Sequence, residues 1–385
     1  MDGSFTIGRL YGIDIRLHYS WFIAFFLIVS SLATGYFPER YPEWTRQQSW
    51  LLGAITTLLF FASVLAHELA HSLAAIAHRI PVKQITLFIF GGVSNIEQDP
   101  HRPGVEFQIA VVGPLSSLLL AGLFWLAGSL VGARFEGVTA IAGYLTYINV
   151  ALALFNLVPG FPLDGGRILR SIVWAINHNF LQATRIASLV GQGVAHLFIF
   201  GGLWIALGTG NWLSGFWLMF IGWFLSSAAQ STYQHVVLEA LTEGLPVTRI
   251  LQRDVTVIPG SLTVGELVRD HMLRRFQRAF LVSDRSGLRG LVTLNDVQKV
   301  PQEAWDRTPL QAIMTPREDL VTISPEADVL TALRLMVERD INQLPVLADG
   351  RLVGLVDRSG VLQAIELRQA LPRASSDQAE RARAA

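Results

Sequence analysis

Long apolar runs fill the first 232 residues of the chain, and a mixed apolar and polar pattern follows them. Six of these runs are close to the roughly 20 residues that a helix needs to cross a bilayer core. They lie at residues 17–37, 51–79, 106–131, 138–157, 185–208 and 211–232. The first run lacks the short apolar core and small-residue cleavage site of a signal peptide, so we expect it to be retained. The pattern predicts a polytopic α-helical membrane domain over residues 1–235.

Lysine and arginine are distributed unequally between the two sides of these predicted spans. One side carries Arg9, Arg16, Arg79, Lys83, Arg102, Arg167, Arg170 and Arg185. The other side carries Arg40, Arg46 and Arg134. Because cytoplasmic loops are enriched in these residues, the difference predicts a multi-pass cell-membrane protein whose N-terminus and C-terminal region are both cytoplasmic.

From Leu245 onward, short β-branched runs alternate with amphipathic helices, and the sequence repeats at a spacing of about 64–66 residues. Corresponding segments begin at Thr256 and Val321, at Ala279 and Gln343, and at Gly290 and Gly354. The repeat predicts a soluble α/β module of two similar domains, at residues 246–300 and 308–371. The polar, alanine- and arginine-rich residues 372–385 are predicted to be a disordered tail.

The composition limits the available chemistry. The chain has no cysteine, so disulfides and thiolate metal sites are excluded, and any metal must be bound by histidines and carboxylates. Its formal net charge is zero, so no overall basic field indicates a nucleic-acid partner. A hydrophobic content of 51% with only 16% charged residues fits a protein whose main surroundings are the lipid bilayer.

The second apolar run carries an unusual group of ionisable residues, His67, Glu68 and His71, among leucines and alanines. Histidines four residues apart project from one face of a helix, so both can bind a single metal ion. The glutamate between them lies beside that metal, where it can take a proton from a bound water. A chance match in a structural helix is the alternative. Ionisable residues inside an apolar span are costly and usually functional, which favours the metal site.

A catalytic zinc usually has three protein ligands and one water, so the two histidines need a third partner. Asp164 is the best candidate, because Pro159 and Pro162 end the fourth apolar helix just before it. The pair Gly165-Gly166 is expected to allow a tight backbone turn. Such irregular backbone at membrane depth occurs only where it packs in protein or lines a wet cavity. The alternative is a simple loop whose aspartate caps the next helix.

The motif HELAH at 67–71, together with NLVPGFPLDGGR at 156–167, resembles the site-2 protease family of intramembrane zinc metalloproteases. The resemblance covers residues 5–232. It implies one zinc ion held by His67, His71 and Asp164, with Glu68 as the general base. Asn156 matches the family's motif asparagine, which helps to hold the substrate or the developing oxyanion. An asparagine that caps a helix end is the alternative.

Residues 85–96 read as two short strands about Gly91-Gly92, which predicts a β-hairpin. In the site-2 protease family this region is a membrane-associated sheet near the active site, and its edge receives the unwound substrate. Gly113-Pro114 in the third apolar run also fits the family. The alternative interpretation of that pair is a helix kink with close helix packing.

The repeated module resembles a tandem pair of CBS domains, which pack together, often bind adenine nucleotides such as ATP, ADP or AMP, and often form dimers. The family's ribose-contacting pattern is kept in the first copy as Thr293 and Asp296. The second copy has Asp357 and Gly360 at these positions. Any nucleotide is therefore expected to bind better at the first site. A module that only mediates homodimerisation is the alternative.

Together these features predict a zinc-dependent endopeptidase that cleaves transmembrane segments of membrane-anchored, regulatory proteins. Its CBS pair would control this regulated intramembrane proteolysis through an adenine nucleotide. One alternative is a CBS-gated transporter or channel that binds an ion at residues 67, 71 and 164. Another is an inactive scaffold that merely retains zinc. A transporter has no need of Glu68 between the histidines, so the membrane half favours the protease.

Overall fold

The computed structural model describes residues 3–96, 100–242, 244–284 and 287–370. These residues form two compact units, and the division between them falls between Val236 and Val237. This division separates the apolar part of the sequence from the repeated part. The predicted tail at residues 372–385 lies outside the described residues.

The described residues of the first unit form seven main helices. They are α1 (Ser20–Arg40), α2 (Arg46–Ala77), α3 (Pro103–Val131), α4 (Glu136–Asn156), α5 (Asp164–Asn177), α6 (Phe180–Thr209) and α7 (Trp212–Thr242). All except α5 are long and apolar enough to cross a membrane, which confirms the prediction of six spans. Large apolar side chains such as Leu130 and Trp204 remain exposed on these helices, as expected where a helix faces lipid rather than water.

Local sequence signals set the ends of the helices that carry the candidate chemistry. Thr45 and Gln48 form a capping box at the start of α2, in which each side chain bonds to the backbone N–H of the other residue. Helix α4 ends at Asn156, three residues before Pro159, because a proline cannot continue the helical hydrogen-bond ladder. Helix α5 ends where His178 adopts a left-handed conformation with φ of 55°.

A four-stranded sheet accompanies these helices in the order β1 (Ser4–Leu10), β2 (Ile13–His18), β3 (Val82–Phe88), β4 (Gly91–Ile96). Strands β3 and β4 form the predicted hairpin, although its turn precedes Gly91 instead of centring on the glycine pair. The antiparallel hairpin of β1 and β2 was not predicted; β2 pairs with β3 in parallel. Strand β4 is an outer strand, and no other strand in the described residues pairs with its second edge.

The sheet packs against the C-terminal half of α2 through a small apolar core. Ile13, Ile15 and Ile85 from the sheet are buried together with Ala75 of α2 and Ile109 of α3. This core places β4 beside the part of α2 that carries the candidate chemistry.

The second unit contains the two repeats. The first has β5 (Val257–Pro259), a helical stretch α8 at residues 264–275, β6 (Ala279–Asp284), β7 (Gly287–Thr293) and α9 (Leu294–Gln298). The second has β8 (Thr315–Pro316), α10 (Val329–Glu338), β9 (Gln343–Ala348), β10 (Arg351–Asp357) and α11 (Arg358–Ala370). The register pairs Ala279 with Thr293 in one copy and Gln343 with Asp357 in the other, which confirms the repeat.

The two repeats exchange backbone pairing. Thr315, near the start of the second repeat, pairs with Leu291 in β7 of the first repeat. In return Gln252, near the start of the first repeat, bridges to Leu355 in β10 of the second. Each copy therefore completes the sheet of the other, and the repeats form one module rather than two independent domains.

Candidate metal centre

Three side chains converge between α2 and the first turn of α5. Nε2 of His67 and Nε2 of His71 each lie 3.1 Å from Oδ2 of Asp164 and 3.2 Å from each other. Ligand atoms bound about 2.0–2.1 Å from a tetrahedral zinc ion are about 3.3 Å apart. The observed spacing fits such an ion, and both imidazoles are buried.

Helix α3 fixes the orientation of both imidazoles. Nδ1 of His71 lies 2.6 Å from the backbone oxygen of Ile109, and Nδ1 of His67 lies 2.9 Å from Oγ of Ser117. Because a carbonyl oxygen only accepts, Nδ1 of His71 carries the hydrogen, and Nε2 of the neutral ring keeps its electron pair. Histidines that bind metals usually donate their other ring N–H in this way. The donor set therefore fits a zinc ion in chemistry as well as in spacing.

Gly113 of α3 leaves the space that the imidazoles occupy. A Cβ atom at this position would lie 2.1 Å from Nε2 of His71 and 2.9 Å from Cε1 of His67. Sequence reasoning attributed Gly113-Pro114 to the family or to close helix packing. The structure shows that the close neighbours are the imidazoles themselves.

Glu68 is held by the outer strand of the sheet. The hydroxyl of Ser94 in β4 donates to Oε2 of Glu68 over 2.6 Å. A Cβ atom at Gly92 would lie 2.5 Å from Cγ of Glu68, so the strand backbone lies directly against this side chain. Glu68 is thus oriented by β4 and remains separate from the three-ligand cluster. Sequence reasoning placed the hairpin near the site but missed both contacts.

Asp164 is the first residue of α5, and Leu163 is the N-cap. The expected tight turn at Gly165-Gly166 was wrong, because both glycines are helical and lie within α5. Their lack of side chains serves close approach instead. A Cβ at Gly165 would lie 2.3 Å from the oxygen of Val158, and one at Gly166 would lie 2.3 Å from the carbonyl carbon of Gly160.

The segment before Asp164 is docked on α6 through backbone contacts. Gly160 has a φ of 150°, and a Cβ there would lie 2.4 Å from Cα of Gly191. The N–H of Phe161 donates to the oxygen of Ala187 over 3.3 Å. This contact between the segment and α6 was not foreseen. Its only signal in the sequence is a glycine inside an apolar span.

A buried ion pair joins α3 to α5. Nε of Arg170 donates to Oε1 of Glu106 over 2.6 Å, and neither residue is more than 3% exposed. The guanidinium of Arg170 also lies 5.0 Å from the ring centre of Phe161 and 4.5 Å from that of Phe180. Sequence reasoning treated Arg170 only as a flanking charge. The ion pair connects the helix that orients the histidines with the helix that begins at Asp164.

Asn156 is the last residue of α4 and is half-buried. Within the described ranges its side-chain amide makes no hydrogen bond, so it does not cap the end of its own helix. The amide is therefore available to an external acceptor.

Thr293 and Asp296 lie together at the start of α9. The Thr293 hydroxyl donates to Oδ2 of Asp296 over 2.7 Å, and Nζ of Lys299 lies 3.1 Å from Oδ1. These three residues line a cavity of about 260 Å³ between the two repeats. In the second copy, Asp357 instead accepts hydrogen bonds from the N–H of Gly360 and from the side chain of Gln252.

Comparisons with known proteins find relatives of both parts of the chain. The model of peptidase family M50 matches residues 55–135 and 131–200, and the CBS domain model matches residues 247–303 and 310–367. A protein of Synechocystis sp. whose name describes a zinc metalloprotease is 34% identical over 95% of this chain and 96% of its own length. Rip3 of Mycobacterium tuberculosis, also named as a zinc metalloprotease, is 32% identical over 95% of this chain and 94% of its own. A zinc metalloprotease of Methanocaldococcus jannaschii is 25% identical over 95% and 97%.

Proposed function

The chain belongs to peptidase family M50, the site-2 proteases, and from that premise we propose that it cleaves transmembrane segments of membrane-anchored proteins. It is a multi-pass membrane metalloprotease with a tandem CBS module. The observation that carries the proposal is the cluster of His67, His71 and Asp164. Glu68 is the next residue after His67 on the same helix. We propose these three residues as the ligands of a single zinc ion.

The roles of the protein's own groups follow from where they lie. A bound zinc ion supplies Lewis-acid chemistry, which polarises a carbonyl and acidifies a water. Glu68, oriented by Ser94, takes the proton of the attacking water and returns it to the amine nitrogen that leaves. The amide of Asn156 donates to the carbonyl oxygen as that oxygen gains negative charge.

Water reaches this site most simply from the C-terminal end of α2, which is the end nearer to His71. His71 lies six residues before the last residue of α2, Ala77, which corresponds to about 9 Å along the helix. The excess of basic residues at this end supports a cytoplasmic location for it, for the N-terminus and for the CBS module. Regulatory membrane proteins with a single span are the substrate class that fits such a site.

The decisive experiment compares the full-length parent with Glu68→Gln in liposomes. Glu43→Gln serves as the matched control, because Glu43 is exposed and lies outside the site. We expect all three proteins to bind one zinc ion, and only the parent and Glu43→Gln to cleave a panel of single-span substrates. Cleavage by Glu68→Gln at the parental rate, or a parent that binds no zinc, would contradict the proposal. Ion flux without cleavage would support the transporter alternative.

We also propose that the cavity at Thr293 and Asp296 binds the ribose of an adenine nucleotide and that the module regulates cleavage. A hydroxyl and a carboxylate that face one cavity suit ribose hydroxyls. Titration of the full-length protein with ATP, ADP and AMP should give binding that Thr293→Ala weakens about tenfold. Asp357→Ala in the second copy is the matched control and should leave the affinity unchanged. Equal affinity in Thr293→Ala would contradict this assignment.

The module is further proposed to join two copies of the chain, since the repeats leave Leu273, Phe276 and Val337 exposed. Mass measurement of the detergent-solubilised parent tests this directly. A monomer at micromolar concentration would refute it.

A further inference from the structure

A second cavity, of about 740 Å³, lies in the membrane unit next to β4. It is bounded by β4 on one side, by residues 161–162 and α5 on another, and by α7 at residues 228–236. Ser94 lines this cavity, and its hydroxyl also donates to Glu68. Ser94 therefore connects the wall of this cavity to Glu68, the proposed general base.

The charges that line this cavity have one sign. Its ionisable residues are Arg167, Arg170 and His235, and none of the described lining residues is a carboxylate. Arg170 is neutralised by Glu106. Arg167 is half-buried and, among the described residues, forms no hydrogen bond or ion pair. A guanidinium stays charged at any working pH, so Arg167 gives the cavity a positive charge that no described lining residue balances.

We propose that Arg167 is a specificity subsite for an acidic side chain of the substrate. The inference rests on the proposed proteolytic function. An extended peptide that pairs with the second edge of β4 runs past Ser94 and enters this cavity, advancing about 3.3 Å per residue. The planar guanidinium matches a carboxylate with two parallel hydrogen bonds. The substrates that fit best therefore carry an aspartate or glutamate in the stretch next to the cleaved bond.

A lipid phosphate is the other anion that a membrane protein meets. The position of Arg167 favours the substrate, because Arg167 lines the same cavity as Ser94, between β4, α5 and α7. An arginine that binds headgroups extends from the outer surface of the protein into the interface. Arg167 is instead half-buried.

The test uses a single-span substrate in which one aspartate is moved through the positions on both sides of the cleaved bond. The matched substrates carry asparagine. The expected result is one position at which aspartate raises kcat/KM about tenfold over asparagine, and loss of that ratio in Arg167→Gln. Arg185→Gln is the matched control, because Arg185 is exposed and lies outside the cavity; its ratio should equal that of the parent. Arg167→Glu reverses the charge of the subsite. This variant should prefer a substrate with lysine at the same position over the matched asparagine substrate.

Binding supplies a second, independent measurement. The Glu68→Gln protein cannot turn over a bound substrate if the proposed mechanism holds, so its affinity for the aspartate and asparagine substrates can be compared directly. A tenfold difference that disappears in Glu68→Gln combined with Arg167→Gln supports the subsite. This measurement also separates the two proposals, because it does not require cleavage.

Three results would overturn the inference. The first is that neither cleavage by the parent nor binding by Glu68→Gln depends on the position of the aspartate. Another is an aspartate preference that survives in Arg167→Gln. The third is an effect of Arg167 that follows the phosphatidylglycerol content of the vesicles and not the charge of the substrate. That result would assign the cavity to lipid. A parent that cleaves no substrate would count against the proteolytic function instead.

Discussion

Gly113→Ala should abolish the candidate metal centre without damaging the helix. The new Cβ atom would lie 2.1 Å from Nε2 of His71, whereas ordinary contact begins at 3.4 Å. The imidazole must therefore move by about 1.3 Å (3.4 − 2.1), and its hydrogen bond to Ile109 opposes that movement. Zinc–ligand distances vary by only about 0.2 Å. Loss of an outer hydrogen bond alone weakens metal binding about 10- to 100-fold, so displacing a ligand should cost at least about 100-fold.

The matched control lies on the same helix. A Cβ atom at Gly122 would meet nothing within 4 Å, so Gly122→Ala changes only the helix backbone. Both substitutions should raise the intrinsic stability of α3 by about 0.5–1 kcal/mol, because glycine disfavours a helix interior. Zinc affinity, measured by competition with a chelator, should fall only in Gly113→Ala. Cleavage of a single-span substrate should fall with it.

Thermal unfolding of the metal-free proteins separates a local defect from a global one. We expect the Tm of metal-free Gly113→Ala to stay within a few degrees of Gly122→Ala. A Gly113→Ala protein with parental zinc affinity and parental cleavage would refute the reasoning, because it would show that His71 can shift without losing its place in the cluster.

Other contacts lead to further expectations. Ser94→Ala removes the hydrogen bond to Glu68 and should lower kcat about tenfold while the zinc content stays at one ion per chain; an unchanged kcat would show that Ser94 does not orient the base. Arg170→Met leaves Glu106 buried without its charge partner and should lower the free energy of unfolding by about 3–5 kcal/mol, whereas Arg170→Met with Glu106→Leu should recover most of the loss in a denaturation assay. Hydrogen bonds from Thr263 hold the pKa of Glu266 below its usual value of 4.5, so the stability it contributes is present above that pH and lost as the pH falls through the lowered pKa. In Glu266→Gln, hydrogen-exchange protection at the start of α8 should therefore fall less on acidification than it does in the parent.

The sequence allowed the six spans, the hairpin, the tandem repeat and the residues of the candidate metal centre to be predicted. Each of these features depends either on the local periodicity of apolar residues or on a motif of specific residue types, and both can be read directly from the sequence. His67 and His71 are four residues apart on one helix, so their shared direction follows from helical geometry alone. Pro159 likewise marks the end of α4 by a local steric effect.

The features that sequence reasoning missed depend on contacts between distant segments. The partner of His71 is the backbone oxygen of Ile109, which has no signature in the sequence. The pairing of Glu106 with Arg170 joins residues 64 positions apart. The pattern at Gly165 and Gly166 predicts a turn, because glycine commonly serves that role. Only the course of the neighbouring backbone shows that they are needed for space.

The contact between Gly160 and Gly191 has a mechanical consequence. No rotatable side chain separates the two backbones, so a displacement of α6 passes directly to the segment that ends at Asp164. Helix α6 has 30 residues and is about 45 Å long, which exceeds the roughly 30 Å thickness of a bilayer core. A helix of that length changes its tilt as the bilayer thins or thickens. We therefore expect lipid chain length to act as a control on hydrolysis, with the fastest turnover confined to a narrow range of membrane thickness.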